Sequence, residues 1–163
     1  MKKLYFLRHG KAAAQKIGQS DKERPVVKFA YTQLEKLKIA LKDTDFNPDS
    51  VLCSTATRTE QTVFLMQEAG LLAKATINFE KSLYNAPLTT VLAEISKTDD
   101  AVQSLLVVGH NPAVAEAVQR FQREKLLISF PTFSLAGFSV ETTSWGLIEN
   151  SPATPLFTFL SKE

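Results

Sequence analysis

Two continuous apolar runs in this chain stop at a histidine, and that feature restricts the possible folds more than any other. Leu4, Tyr5, Phe6 and Leu7 run into Arg8, His9 and Gly10, and Leu105 to Val108 run into Gly109, His110, Asn111 and Pro112. Short unbroken runs of strand-forming residues read as buried strands. Open α/β sheets hold their ligands at the carboxyl ends of such strands. Glycine at position 10 lets the backbone turn without a Cβ, so a ligand can approach the main chain closely. On its own, an arginine and a histidine at a strand end read equally well as solvated side chains, so the reading depends on what the rest of the chain places beside them.

Between the two runs, strand and helix patterns alternate. Residues 11 to 28 are polar and irregular and read as a long surface loop, a length often functional in compact domains. Leu34, Leu37 and Leu41 then mark one face of a helix from Phe29 to Lys42. A turn at Asp45 to Ser50 leads into a short buried strand, Val51 to Cys53. Thr57 and Glu60 fit a capping box that starts a helix running to Gly70, with Arg58 in its first turn. Thr76 to Phe79 is a further strand, and Pro87 opens a helix striped by Leu88, Val91, Leu92 and Ile95. After the strand Leu105 to Val108, Asn111 as N-cap and Pro112 at the first helical position start a helix with Val114, Val118 and Phe121 on one face. A strand from Phe133 to Val140, a turn at Trp145 and Gly146, and a strand from Leu156 to Leu160 complete the chain. This alternation predicts one α/β domain over residues 1–163, three-layered, with a mostly parallel central sheet, right-handed crossovers and helices on both faces.

Composition narrows the function classes. The 19 basic and 17 acidic residues nearly balance, which gives no electrostatic footprint for nucleic acid or an anionic membrane. Two lysines and four apolar residues before Arg8 do not form a signal-peptide core, and no apolar run approaches the ~20 residues of a membrane span. The expectation is a cytoplasmic protein. The single cysteine, Cys53, sits among apolar neighbours and reads as a buried strand residue rather than a redox group. Two histidines far apart, flanked by arginines and without carboxylates or cysteines at ligand spacing, make a poor metal site. No G-x-x-x-x-G-K sequence offers a nucleotide phosphate cradle. No metal or cofactor is therefore expected. Phe130, Phe133, Phe138, Phe157 and Phe159 read as core; Trp145 reads as a packed turn residue.

A parallel sheet gathers its strand ends along one edge, and Arg8, His9, Arg58 and His110 each follow the end of a strand. Two guanidinium forks and two imidazoles suit a tetrahedral oxyanion such as a phosphoryl group. Phosphoryl transfer needs such groups because its transition state spreads negative charge over the equatorial oxygens. A neutral imidazole can attack phosphorus. His9, fixed between Arg8 and Gly10, is the expected nucleophile, and His110 the expected protonated partner. The same pocket could instead hold a phosphate without turning it over, as a binding module.

These residues resemble a known family. Arg8, His9 and Gly10 after an N-terminal strand resemble the signature of the histidine phosphatase superfamily, which has the phosphoglycerate mutase-like fold. The small size, Ser54 to Thr62, and Gly109 to Pro112 resemble its SixA-type phosphohistidine phosphatase branch in particular, over Met1 to about Arg120. The resemblance implies His9 as the phosphorylated nucleophile, with Arg8, Arg58 and His110 forming the phosphate pocket. Asp21 to Pro25 also resembles a stretch of that branch, which makes Arg24 a further candidate phosphate contact. Thr55 stands where the branch has proline, and Val27 and Ala30 where it has threonine and glycine, so substrate preference is open.

Larger members of the superfamily carry a carboxylic acid in an insertion for which this chain is too short, and Glu80 is the nearest alternative by sequence. A protonated phosphohistidine expels neutral imidazole without an acid, whereas an alkyl phosphate must expel an alkoxide. The resemblance thus implies a metal-independent phosphatase whose partner is a phosphohistidine-bearing protein. A small phosphorylated metabolite is the alternative substrate.

Overall fold

Unbroken apolar strands are explained by layering. In the computed structural model, which describes residues 1–123, 126–127 and 129–163, six strands form one sheet in the order β3-β2-β4-β1-β5-β6. They are β1 (Lys2–Arg8), β2 (Ser50–Ser54), β3 (Thr76–Glu80), β4 (Ser104–Gly109), β5 (Leu135–Val140) and β6 (Ala153–Phe159). The first four are mutually parallel, and β5 and β6 add an antiparallel hairpin beside β1. Helices α1 (Phe29–Leu41), α2 (Thr57–Glu68), α3 (Leu88–Ser96) and α4 (Ala113–Gln122) cover the sheet. Alternate residues of each strand enter opposite cores. Leu4, Phe6, Leu105 and Val107 pack with α3, α4 and Trp145, while Tyr5, Leu7, Leu106 and Val108 pack with α1 and α2. Strands covered on both faces cannot alternate with polar residues, which is why they read as continuous runs.

Several boundaries differ from the sequence reading, each for a local reason. Ala56, not Thr57, caps α2: its carbonyl accepts from the amides of Thr59 and Glu60, and the Thr59 hydroxyl closes the turn onto the Ser54 and Ala56 carbonyls. The expected stop holds, because Gly70 takes φ +78° and the Leu71 amide reaches back to the Met66 carbonyl, a Schellman closure. Pro112, rather than Asn111, occupies the cap of α4. Asn111 instead donates to the Phe130 carbonyl at 3.0 Å and accepts from the Ala115 amide at 3.3 Å. Phe133 lies outside β5, with φ 60°. The last strand spans 153–159 instead of 156–160. Trp145 opens a 3-10 segment, Trp145–Asn150, and is buried with its indole N–H donating to the Val102 carbonyl at 2.8 Å. Phe157 and Phe159 are only partly buried, on the strand at the sheet edge. No described helix is long and apolar enough to cross a membrane.

Candidate active site

Register brings the candidate residues together. Arg8 pairs with Gly109 across β1 and β4, and Cys53 with Val108 across β2 and β4. His9, Ser54 and His110 therefore leave three neighbouring strands at one level, and Arg58 rises from the first turn of α2 beside them. The rings of His9 and His110 stand 5.4 Å apart, centroid to centroid.

His9 is buried and held in one tautomer. It is 6% exposed, and its Nδ1 lies 2.8 Å from the Gly10 carbonyl. A carbonyl oxygen can only accept, so Nδ1 carries the hydrogen and Nε2, which has no hydrogen-bond partner among the described residues, keeps its lone pair. Burial first, then the positive surroundings of His110, Arg58 and Arg8, push its pKa down to about 3 against the Gly10 bond. At neutral pH the ring is an unprotonated base with a free Nε2. The turn behind it is tightly built: the Phe133 amide donates to both the Arg8 and His9 carbonyls at 3.0 and 2.9 Å, and the Gly10 amide donates to Thr62 Oγ1 at 2.9 Å. A Cβ on Gly10 would stand 2.8 Å from the buried Phe133 ring. A bulky residue at positive φ is rare and signals constraint at a site.

Each of the two inner arginines is braced along one edge and free along the other. Arg58, buried in the first turn of α2, donates from Nη1 to the Asp21 carbonyl at 2.8 Å and from Nη2 to Asp21 Oδ2 at 3.1 Å. Arg8 donates from Nη1 to the Phe130 carbonyl at 3.1 Å and faces Glu163 Oε1 at 3.5 Å. Among the described residues the Nε of both is buried without a partner, as is Nδ1 of His110. Buried donors go unpaired in native proteins only rarely, and such groups point to a ligand or ordered water.

His110 departs from the expectation in its charge. Its Nε2 lies 2.8 Å from Ser54 Oγ. Burial, followed by the cationic Arg58, Arg24 and Arg8 against an opposing pull from Asp21, holds its pKa down at about 4. These surroundings favour the neutral ring at pH 7, where the sequence predicts an imidazolium against phosphoryl oxygens.

The carboxylate at the site is Asp21, which the sequence reading passed over. Its Oδ1 accepts from Arg24 Nε at 2.9 Å, and its Oδ2 accepts from Arg58 and from the Tyr84 hydroxyl at 2.6 Å. The Tyr84 bond first, then those from Arg58 and Arg24, lower its pKa to about 2, so it is ionised throughout the ordinary pH range. Arg24 thus reaches the site through Asp21 and the Ala13 carbonyl. Glu80 ends β3 opposite Ser54 but faces a recess with Asn78 and Glu94, and it bonds to none of the four central residues. Tyr84, whose ring lies edge-on to His110 at 5.7 Å, and Gln33, which accepts from the Lys11 amide at 2.9 Å, carried no sequence signal. Ser54 lay within a quoted motif, but its partner is defined only by strand order. Cys53 is fully buried and burial pushes its thiol pKa up, which fits a core residue. Among the described residues no group of three or more histidine, cysteine, aspartate or glutamate side chains could hold a metal ion.

Comparison with known proteins agrees with this geometry. No family model matches the chain. It is 36% identical over 109 residues to an uncharacterized protein of Mycobacterium tuberculosis, a match covering 67% of this chain and 65% of that one, just under two thirds of the relative's length. Among solved structures it is similar to the proposed phosphohistidine phosphatase SixA of Agrobacterium tumefaciens, with 28% identity, a TM-score of 0.81 and 97% of both chains covered. The fold is also that of a protein histidine phosphatase SixA complexed with tungstate, at 22% identity and TM-score 0.77 over 97% and 96% of the two chains. The chain has the fold of the histidine phosphatase superfamily and is similar to one of its SixA members at 28% identity over nearly the whole of both chains. Within that superfamily its structural likeness is to the SixA proteins.

Proposed function

We propose that the chain is a phosphatase that works through a phospho-His9 intermediate and acts on protein phosphohistidine. The observation that carries this reading is the pair of buried guanidinium donors, Arg8 Nε and Arg58 Nε, which with the buried Nδ1 of His110 have no partner among the described residues and stand around an imidazole whose Nε2 has none either. Donors fixed in advance where charge develops are the main source of stabilisation in transfers of this kind.

The residues divide the work as follows. His9 Nε2 attacks phosphorus in line, and the substrate's P–N bond breaks with its electron pair going to the departing imidazole nitrogen. The Arg8 and Arg58 edges and His110 hold the equatorial oxygens. Water then attacks phospho-His9, releasing inorganic phosphate and returning the free ring. No step asks for a carboxylic acid, and Asp21 could not serve as one, being ionised and spent on three donors. This favours leaving groups that depart without a proton, such as the imidazole of a phosphohistidine protonated at its other ring nitrogen.

The test is hydrolysis of a phosphohistidine-bearing protein, an aryl phosphate and an alkyl phosphate by the wild type and by His9→Ala. Turnover of the first two, lost on substitution, with the alkyl ester left intact, is expected. Rapid turnover of the alkyl phosphate without action on phosphohistidine would move the substrate to small phosphomonoesters. Binding of phosphate without turnover of any of them would make the chain a binding module.

A further inference from the structure

A neutral His110 presents a difficulty for phosphate recognition, because a neutral imidazole has one N–H donor and one bare nitrogen, and only the first is useful toward an anion. We propose that Ser54 is a positioning residue that fixes His110 as the Nδ1–H tautomer, so that the ring donates to a phosphoryl oxygen without being protonated. The second half of this statement rests on the phosphatase reading above; the first does not.

The argument begins at Ser54, fully buried at the end of β2. Its oxygen accepts from the Ala56 amide at 3.4 Å and lies 2.8 Å from His110 Nε2. Among the described residues the hydrogen of this fully buried hydroxyl has no acceptor other than Nε2, so it is directed there. Nε2 is then an acceptor, and the neutral ring carries its hydrogen on Nδ1, the buried nitrogen with no partner inside the protein. A ring with its hydrogen on Nε2, neutral or charged, would leave the buried Ser54 hydrogen without an acceptor, and the charged alternative is an imidazolium. That form would place a cation in a buried position among other cations. The charged and titratable groups facing His110 are Arg8, Arg24, Arg58, Asp21, His9 and Tyr84, and of these only Asp21 favours the charge while already paired to both Arg24 and Arg58.

His9 is set in the same way by the Gly10 carbonyl, with opposite use. Its Nδ1–H is consumed inside the protein and its Nε2 is left bare for attack. His110 has Nε2 consumed and Nδ1–H left over. Two neutral imidazoles are thereby assigned one acceptor role and one donor role by their second partners, the logic by which a histidine's distal hydrogen bond selects its tautomer.

The measurement is nitrogen NMR of the wild type labelled at histidine, which contains only two histidines, assigned through His9→Ala and read at neutral pH. The expected spectrum shows His110 as the Nδ1–H tautomer. In Ser54→Ala the ring loses its fixed partner, its tautomers mix, and kcat/KM for phosphohistidine falls about 10-fold, chiefly in kcat. That is less than the roughly 10²–10³-fold loss of removing an oxyanion donor outright. Ser54→Thr, which returns a hydroxyl, restores the tautomer. An Nε2–H or imidazolium His110 in the wild type overturns the proposal without any variant having to fold, as does a tautomer unchanged in Ser54→Ala. The expected tautomer in a chain that hydrolyses no phosphate would uphold the Ser54 assignment and count against the phosphatase reading alone.

Discussion

Replacing Asp21 by asparagine separates two roles that a carboxylate beside arginines can have, as an orienting group or as a counter-ion. Three donors meet this carboxylate: Arg24 Nε at 2.9 Å, Arg58 Nη2 at 3.1 Å and the Tyr84 hydroxyl at 2.6 Å. The amide keeps the shape but has one acceptor oxygen, and its NH2 must oppose a donor. Hydrogen bonds to charged groups are worth about 1.5–3 kcal/mol. At Arg58, whose side chain is 7% exposed, water cannot take over, and the loss sits near 2 kcal/mol. At Arg24, whose side chain is 24% exposed against 7% for Arg58, solvent replaces the pair and the loss is under about 1 kcal/mol.

Stability measured by urea denaturation should therefore fall by about 2–3 kcal/mol. With Arg58 free to turn, kcat/KM should fall roughly 10–100-fold, since small displacements of a binding group cost up to about that much. Removing a negative charge meanwhile strengthens attraction for the free anion, so competitive inhibition by inorganic phosphate should hold steady or tighten. A variant within twofold of wild-type kcat/KM that binds phosphate more tightly would show that Asp21 is only a counter-ion, and the orienting argument would fail.

The two histidines make further predictions about pH. With His9 pushed down to about 3, kcat/KM should stay level as pH falls through 6.5, where an ordinary imidazole nucleophile would already be losing rate; an acid limb at 6.5 would refute its burial as a neutral base. Stability behaves oppositely. Both folded pKa values lie below the unfolded one, so between about 6.5 and 4 the unfolded chain binds more protons, and stability must fall with falling pH in that window. The slope is at most about 1.4 kcal/mol per pH unit for each histidine, and His110→Gln should remove one share of it in urea titrations. Gly10→Ala forces a Cβ to 2.8 Å from Phe133 and 3.1 Å from Ala30 in a packed core. It should destabilise by about 1–3 kcal/mol and displace His9, seen as a loss of melting temperature together with activity.

The fold was legible because its cues are local and repeated. Unbroken apolar strands, the stripes of Leu34, Leu37 and Leu41 and of Val91, Leu92 and Ile95, and Gly70 each report their own surroundings. Arg8, His9, Arg58 and His110 were legible because a parallel sheet turns strand order into proximity. Asp21, Tyr84 and Gln33 were not, since each earns its place through partners distant in sequence that only the assembled fold brings near. The downward pull on the His110 pKa was not legible for a related reason: burial among arginines is a property of the assembled pocket, absent from the Gly-His-Asn-Pro sequence. The cap positions slipped by one residue where side chains had longer-range duties, as Asn111 does at Phe130.

The most direct test of the account is to trap the intermediate. The chain is mixed with a radiolabelled phosphohistidine protein, quenched rapidly in alkali, which preserves phosphoramidates, and the labelled peptide is sequenced. The expected result is label on His9, formed and discharged at rates compatible with turnover and absent from His9→Ala. Label on His110, or undiminished turnover by His9→Ala, would contradict it.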